Sequence, residues 1–414
     1  MKRTVLSLLS LLLAASLTFS LSSCAVKISA AELSAGYSRT ATEKGEVDET
    51  FREAYLAFAA SLFRLSWGED AQVLSPLSAL YCLGMIANGA ENETRRQVEE
   101  TLGMDLDTLN KALYAYRTSM FSSSECKIRI ADSLWIDSES DLTVKPSFLQ
   151  TNADWYDAQI YSAPFDGKTV ESINNWCKDQ TDGMINKILD EIPADTFMYL
   201  INSLLFDAKW ENKYEKSDIR SARFTNADGT AADAEMMYSE ESVYLTYSGS
   251  VGFCRPYAGG KYAFVGVLPE DGTTIDAFLS SLDGAFLSSL LASAETTPVS
   301  VGIPEFSAET GETDLKEPLR SMGIRDLFDE TRADFSAMVE DRGLDVYCDY
   351  IKQKVKIDVD RSGTKAAAIT WGAMRKESAP LEEKSVILDR PFFYLILDTE
   401  NGIPLFMGTV TELS

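Results

Sequence analysis

Apolar residues recur along the chain at two spacings, one typical of helices and one typical of strands. The helical spacing predicts helices over Phe51 to Leu65 and Asp107 to Met120, and a largely apolar helix from Ser75-Pro76 to about Asn88-Gly89. The nearly continuous apolar run from Thr196 to Phe206 is typical of a strand buried on both faces. Further predicted strands cover Lys127 to Ile136, Ala158 to Phe165, Tyr262 to Leu268, Val299 to Phe306, Asp345 to Val359, Pro391 to Leu397 and Leu405 to Thr411, and further predicted helices cover Val170 to Thr181, Ile275 to Ala292 and Asp314 to Met322.

Helices and strands therefore alternate irregularly, and neither an internal repeat nor a linker-like stretch divides residues 50–414. The whole chain has 414 residues, which is long for one domain and normal for two. Because nothing interrupts the pattern, we predict one large α+β domain with extensive sheet over residues 50–414.

The first part of the chain has the features of a targeting segment. Lys2 and Arg3 precede an apolar stretch from Val5 to Leu17 that is short for a membrane span and suits a secretory signal peptide. The following Leu21-Ser22-Ser23-Cys24 resembles a bacterial lipobox, so we predict cleavage after residue 23 and lipidation of Cys24. An ordinary signal peptide with a chance cysteine is the alternative. Residues 24–49 have the composition of a flexible linker.

Charge and composition exclude several classes of function. The chain has 38 Lys and Arg against 64 Asp and Glu, a formal charge of -26, which repels nucleic acid and anionic lipid surfaces. We therefore expect contact with a membrane only through a lipid anchor. The chain has no histidine, so Ser-His-Asp, Cys-His and HExxH chemistry is impossible. The cysteines form no CxxC pair, and we predict no enzyme activity, no metal and no cofactor.

Four segments of the sequence resemble the serpin family of protease inhibitors, in the order and spacing of that family. These are LSPLSALYCLGMIANGAENETRR (Leu74 to Arg96), NSLLFDAKW (Asn202 to Trp210), VDRSGTKAAAIT (Val359 to Thr370) and DRPFF (Asp389 to Phe393). The resemblance covers about residue 50 to the carboxyl end. It implies a large central mixed sheet, two further sheets, about eight or nine helices and an exposed reactive loop at about residues 361–388.

The resemblance also implies a mechanism, in which a serine or cysteine protease attacks the loop as a substrate and the cleaved loop then inserts into the central sheet as an extra strand. The residues suit insertion, because side chains alternate across a sheet with period two. Counted from Thr364, the inward positions carry no charge, and both charges of the stretch, on Lys365 and Arg375, point outward. The hinge residues implied are Gly363, Thr364, Ala366, Ala367, Ala368 and Thr370.

The family's spacing places the reactive bond from both sides. Glu377 lies fourteen residues after Gly363 and thirteen before Arg390, which predicts cleavage between Glu377 and Ser378. A glutamyl endopeptidase is then the direct target, but the neighbouring residues leave trypsin-like, elastase-like and subtilisin-like proteases open. The alternative bait residues are Met374, Arg375 and Lys376.

Two departures from the family's pattern concern the opening of the sheet. Arg361 stands where relatives commonly carry an acid that pairs with a lysine, and Glu305 stands at the lysine position, so we predict a charge-swapped pair. Gln353 stands where relatives carry a histidine. With Ser75, Ser78 and Asn202 it should form the hydrogen-bonded cluster that we call the gate, although Ser75 also suits the N-cap of its helix.

The sequence thus predicts an exported, monomeric inhibitor, lipid-anchored at the cell surface of a bacterium or extracellular, which forms a covalent acyl complex with a target serine protease. One alternative is a non-inhibitory member that proteases cut as a substrate. A surface binding protein on the same scaffold is the other.

Overall fold

A computed structural model of the chain describes residues 28–68, 73–140, 142–193, 196–310, 313–340, 346–364 and 384–413. Two large sheets and a shell of helices make up this part of the chain, which confirms the predicted α+β fold.

A seven-stranded sheet contains the strands that matter most for function. Its order is β1 (Ala31–Glu32), β4 (Gln159–Ala163), β3 (Cys126–Asp137), β5 (Met198–Lys209), β15 (Gly363–Thr364), β14 (Lys356–Asp360) and β11 (Phe306–Glu309). The long strands β3 and β5 are antiparallel and pair from Cys126 with Ala208 to Ile136 with Met198. The short β15 separates β5 from β14 at one end of the sheet.

A nine-stranded sheet packs behind the first and carries much of the apolar core. Its order is β16 (Lys384–Ile387), β10 (Glu295–Pro304), β7 (Ala231–Tyr247), β8 (Ser250–Pro256), β9 (Tyr262–Leu268), β17 (Phe392–Asp398), β18 (Ile403–Val410) and β2 (Val73–Leu74), with β6 (Ile219–Thr225) paired to β7. A two-stranded sheet joins β12 (Thr313–Asp314) to β13 (Lys352–Gln353).

The helices of the described residues surround these sheets. They are α1 (Glu49–Ser66), α2 (Pro76–Ala87), α3 (Asn92–Leu102), α4 (Leu106–Ser119), α5 (Pro146–Trp155), α6 (Gly167–Gln180), α7 (Ile275–Ser280), α8 (Gly284–Ala292) and α9 (Lys316–Met322). Helix α2 begins as predicted, because the Ser75 side chain accepts a hydrogen bond from the Ser78 amide and Pro76 follows at the first helical position. All its residues are buried against the sheets.

Several predicted boundaries differ from the structure for local reasons. The helix predicted over Ile275 to Ala292 is two helices, because Asp283 caps the start of α8 with its side chain. The strand predicted over Asp345 to Val359 is shorter, and of its described residues only β13 and β14 are strand. Among the described residues, no helix is both long and apolar enough to cross a membrane.

The predicted flexible linker over residues 24–49 is wrong for residues 28–48, which pack on the body of the protein. Strand β1 adds to the edge of the seven-stranded sheet by pairing with β4. Further along, the Arg39 guanidinium lies 3.5 Å from the centroid of the Tyr114 ring and 4.7 Å from that of Trp155. Four apolar side chains of the segment, Leu33, Tyr37, Ala41 and Val47, also pack against the main core, although its composition resembles that of a linker.

The first described residues lie at the end of the sheet opposite to β15. Strand β15 pairs with Lys209 and Ala208, and Ala208 in turn pairs with the first residue of β3. Ala31 instead pairs with Ser162, near the end of β4 that lies beside the last residues of β3. The chain before Ala31 therefore leaves the sheet at the far end from Gly363.

Candidate functional site

Strands β5 and β14 enclose a slot that the chain itself has begun to fill. At one end, Gly363 and Thr364 pair with Lys209 and Ala208 on one side and with Asp360 and Val359 on the other, antiparallel to both strands. Further down, Leu200 and Ile351 form a parallel bridge directly across the slot. At the hinge end, β15 thus separates β5 from β14, whereas further down the two segments are in direct contact and the slot is closed.

Gly363 occupies a position that tolerates no side chain. Its φ angle is +142°, a conformation that other residues rarely adopt. A Cβ atom there would lie 2.3 Å from the carbonyl oxygen of Ala208 and 2.5 Å from the Cα of Lys209. Glycine therefore lets the turn before the hinge come into contact with the backbone of β5.

A short segment after β5, Trp210 to Tyr214, holds the turn that leads into the hinge; we call it the receiving segment. The Trp210 amide donates to the carbonyl of Ser362 at 3.1 Å, and its indole Nε1 donates to the carbonyl of Asp360 at 2.8 Å. The Tyr214 amide donates to the carbonyl of Arg361 at 3.2 Å. Three consecutive carbonyls of the turn are therefore bound, and the sequence reasoning identified Trp210 only as part of a motif.

Arg361 and Glu305 are in contact, as the charge-swap hypothesis expects. Arg361 Nε donates to Glu305 Oε1 at 2.8 Å, and Nη2 donates to Oε2 at 3.2 Å, which is a two-pronged pair. The Glu305 carboxylate raises the pKa of Arg361. Both side chains are partly exposed, at 48% and 25%, so water weakens the attraction.

The four gate residues lie in one buried hydrogen-bond network across the closed part of the slot. Gln353 accepts from the Ser75 amide at 2.8 Å and donates to the Ser75 carbonyl at 2.9 Å. The Ser78 hydroxyl donates to Asn202 Oδ1, and the Ser78 amide donates to the Ser75 hydroxyl oxygen at 3.2 Å. The hydroxyl of Ser75 donates to the Leu405 carbonyl at 2.8 Å, so this residue is both helix cap and network member.

A fifth member of the network, Asp132, was missed from the sequence. Asn202 Nδ2 donates to Asp132 Oδ1 at 2.6 Å, and no described residue donates to Asp132 Oδ2. Burial raises the pKa of Asp132 to about 6, against the opposing effect of the Asn202 hydrogen bond. The signal in the sequence was an acid at an inward position of a buried strand, since the other core-facing residues of β3 are apolar.

The remaining predicted site residues lie outside the described residues. These are Cys24, the hinge residues Ala366, Ala367, Ala368 and Thr370, the bait residues Met374, Arg375 and Lys376, and the reactive pair Glu377 and Ser378. In the described part of the chain, His, Cys, Asp and Glu side chains form no group of three or more that could hold a metal ion.

Comparison with known proteins places the chain in a family. The model of the family described as Serpin (serine protease inhibitor) matches residues 53–413. The chain is 30% identical over 351 residues to Iripin-3 of Ixodes ricinus, covering 82% of this chain and 88% of that protein. It is 28% identical over 363 residues to plasminogen activator inhibitor 1 of Bos taurus, covering 82% and 86%. The chain belongs to the serpin family, whose members are generally protease inhibitors and not enzymes.

Two solved structures of one relative are similar to this structure to different degrees. The thermophilic serpin tengpin in its native state matches with a TM-score of 0.87 and 36% identity, covering 93% of this chain and 100% of tengpin. Tengpin in its latent state matches with a TM-score of 0.80 and 36% identity, covering 90% and 100%. This structure is therefore more similar to the native state of that relative than to its latent state.

Proposed function

We propose that this chain is a suicide-substrate inhibitor of serine endopeptidases, whose loop is cut between Glu377 and Ser378 and then inserts between β5 and β14. The observation that carries the proposal is β15, Gly363–Thr364, which already pairs with both strands at the hinge end of the slot. Once cleavage frees the other end of the loop, the same ladder of hydrogen bonds can extend down the slot. The protease supplies the chemistry, so the inhibitor needs no histidine.

The register of β15 supports this proposal, because its continuation down the slot would bring each later loop residue beside a particular pair of residues on the two sides of the slot. If the ladder of β15 continued without a bulge, Thr370 would lie between Asn202 and Gln353. Ala366, Ala368 and Gly372 would each lie between two apolar residues. The pairs that would flank the core-facing positions are Ala208 with Val359, Phe206 with Ile357, Leu204 with Val355, Asn202 with Gln353, and Leu200 with Ile351. The one polar pair would thus receive the residue with a hydroxyl.

The free energy that insertion would release is comparable to the stability of a protease. On the order of ten new ladder bonds, at about 1 kcal/mol net each, give roughly 10 kcal/mol. A typical protease has a stability of about 5–15 kcal/mol. About 15 inserted residues at roughly 3.3 Å each would carry the attached protease about 50 Å along the sheet. Insertion can therefore distort the protease before water completes the reaction.

The experiment is to mix the purified chain with a glutamyl endopeptidase, trypsin and an elastase. We expect a covalent complex with at least the first, stable to denaturing electrophoresis, and a released carboxyl-terminal peptide that begins at Ser378. Glu377→Gln should abolish the complex with the glutamyl enzyme, whereas the matched loop variant Glu383→Gln should retain it. A complex formed with trypsin or elastase instead would mean that the protease recognises Arg375, Lys376 or Met374 and not Glu377.

Other results would contradict the proposal. Cleavage of the chain without a complex, with all three proteases, would mean a non-inhibitory serpin that is only a substrate. Tight binding of a non-protease ligand by a chain without the loop, together with resistance to cleavage, would mean a binding protein. A released peptide with another first residue would show that the register from Gly363 to Glu377 is wrong.

We further propose that a bacterium exports the chain and lipidates Cys24. Three residues separate Cys24 from Ile28, so the Cα atom of a lipidated Cys24 would lie within about 14 Å of that of Ile28, the first described residue. Because the chain leaves the sheet at the far end from Gly363, the anchor would turn the hinge end away from the membrane. Labelling of expressing cells with radioactive palmitate should mark the wild-type chain and not Cys24→Ser; equal labelling of both would contradict the anchor.

A further inference from the structure

The receiving segment packs against a buried ion pair that has no role in the mechanism proposed above. Arg255 on β8 is 3% exposed, and its guanidinium pairs with Glu241 of β7, whose side chain is 9% exposed. Arg255 Nη1 donates to Glu241 Oε1 and, at 2.9 Å, to the hydroxyl of Ser239. Ser239 in turn donates to Glu241 at 2.7 Å. A charged cluster is thus enclosed behind the hinge end of the slot.

Arg255 contacts the receiving segment at three points, and Ser239 adds a fourth contact, because its hydroxyl lies 3.3 Å from that of Tyr214. The guanidinium carbon of Arg255 lies 3.9 Å from the centroid of the Tyr214 ring and 4.9 Å from that of Trp210. Nη2 of Arg255 also donates to the backbone carbonyl of Asn212, between the two rings. Arg255 therefore contacts both residues whose amides bind the turn, and it fixes the backbone between them.

A buried ion pair is an unusual choice if the only task were to fill this space. Removing two charges from water is unfavourable, and apolar residues of similar volume commonly stabilise a fold as well or better. The hydrogen bonding of Arg255 is also incomplete, since no described residue accepts from its Nε. What the arginine adds over an apolar residue is direction: it donates to one carbonyl and stacks on two rings at once.

We propose that Arg255 is a positioning residue, which holds Trp210 to Tyr214 in the conformation that binds the turn Asp360 to Ser362 and so keeps the hinge paired in the slot. This inference rests on the proposed inhibitory function for its consequence, and on the described contacts for its geometry. Without Arg255 the receiving segment loosens, the hinge leaves the slot more often, and insertion after cleavage becomes slower.

The test replaces the pair by apolar residues, Arg255→Met with Glu241→Leu, so that no buried charge remains unpaired. The matched control is Arg320→Met with Glu317→Leu, which removes an exposed pair 3.1 Å apart on α9. The first measurement is hydrogen exchange at the amides of Trp210 and Tyr214. We expect exchange at least 10-fold faster in the double variant and unchanged in the control.

The second measurement is the number of inhibitor molecules consumed per protease molecule inactivated. We expect it to rise about 3-fold or more in the double variant, with kcat/KM for loop cleavage unchanged. Wild-type exchange at both amides in a folded double variant would overturn the inference, and so would fast exchange with a wild-type ratio. If the wild-type chain forms no complex with any protease, the proposed function fails, and the exchange rates alone then decide whether Arg255 positions the segment.

Discussion

The two ends of the slot between β5 and β14 are held by different interactions. At the hinge end, backbone ladders, aromatic rings and ion pairs bind a strand that is already in place. At the gate, short polar side chains close the slot through hydrogen bonds to α2 and β3. A loop can extend the ladder at the hinge end without breaking it, whereas it must separate Leu200 from Ile351 near the gate. In the proposed mechanism, the hinge end would therefore favour the start of insertion, and the gate would oppose its continuation.

The proposed difference between the hinge end and the gate can be tested most directly at Thr370, the loop residue that would reach the gate. We expect Thr370→Arg to raise the number of inhibitor molecules consumed per inactivated protease at least 10-fold. The reason is that insertion would bury an unpaired guanidinium beside Asn202 and Gln353, which opposes insertion by several kcal/mol. The hinge end would be unaffected, so the chain would still be cut at the wild-type rate. Titration of the protease with each variant measures the ratio.

Two smaller changes at the same residue separate size from hydrogen bonding. Thr370→Ser keeps the hydroxyl and should inhibit like the wild type. Thr370→Val keeps the shape and removes the hydroxyl, so it should raise the ratio by no more than about 5-fold, since one buried hydrogen bond is worth about 1 kcal/mol. Wild-type inhibition by Thr370→Arg would show that the loop does not enter in the register of β15.

At the gate itself, Asp132 makes the stability of the closed sheet depend on pH. Its pKa is raised from 3.8 to about 6 in the folded protein, so the folded state keeps this proton to higher pH than the unfolded chain does. The free energy of unfolding should therefore fall as pH rises from about 4 to about 6, by up to roughly 3 kcal/mol from this group. Asp132→Asn should remove that loss and be more stable than the wild type at pH 8.

Denaturant unfolding at pH 4 and at pH 8 measures this effect. The matched control is Asp179→Asn on the exposed side of α6, which should leave the pH dependence unchanged. If the free energy of unfolding of Asp132→Asn and of the wild type falls by the same amount between the two pH values, burial does not raise the pKa of the Asp132 carboxyl. The gate would then be held by neutral hydrogen bonds alone.

The sequence predicted the elements that have a strong hydrophobic periodicity or a capping residue close to their ends. The N-cap at Ser75, the strand at Tyr262–Leu268 and the order of the family motifs needed only neighbouring residues. Helix α3 was missed, because it has no side-chain cap and few apolar positions, and the hairpin of β7 and β8 was missed as well. Its strands depend on pairing between distant segments, which a single period does not show.

The same distinction applies to the site. The positions of Gly363, Arg361 and Gln353 were predicted because a motif contains them. Asp132 and Arg255 were missed, because nothing near them in the chain shows that they lie beside the gate and behind the hinge. Only the pairing of β3 with β5, and of β7 with β8, brings them there.

The smallest expected effect is at the hinge end, in the pair of Arg361 with Glu305. Both side chains are partly exposed, so a double-mutant cycle with Arg361→Ala and Glu305→Ala should give a coupling of about 0.5 kcal/mol, within the 0–1 kcal/mol usual for surface pairs. The coupling should shrink in 1 M salt, because screening there acts within about 3 Å. Additive single changes would mean that the ion pair contributes nothing, and that backbone bonds and the receiving segment alone hold the turn.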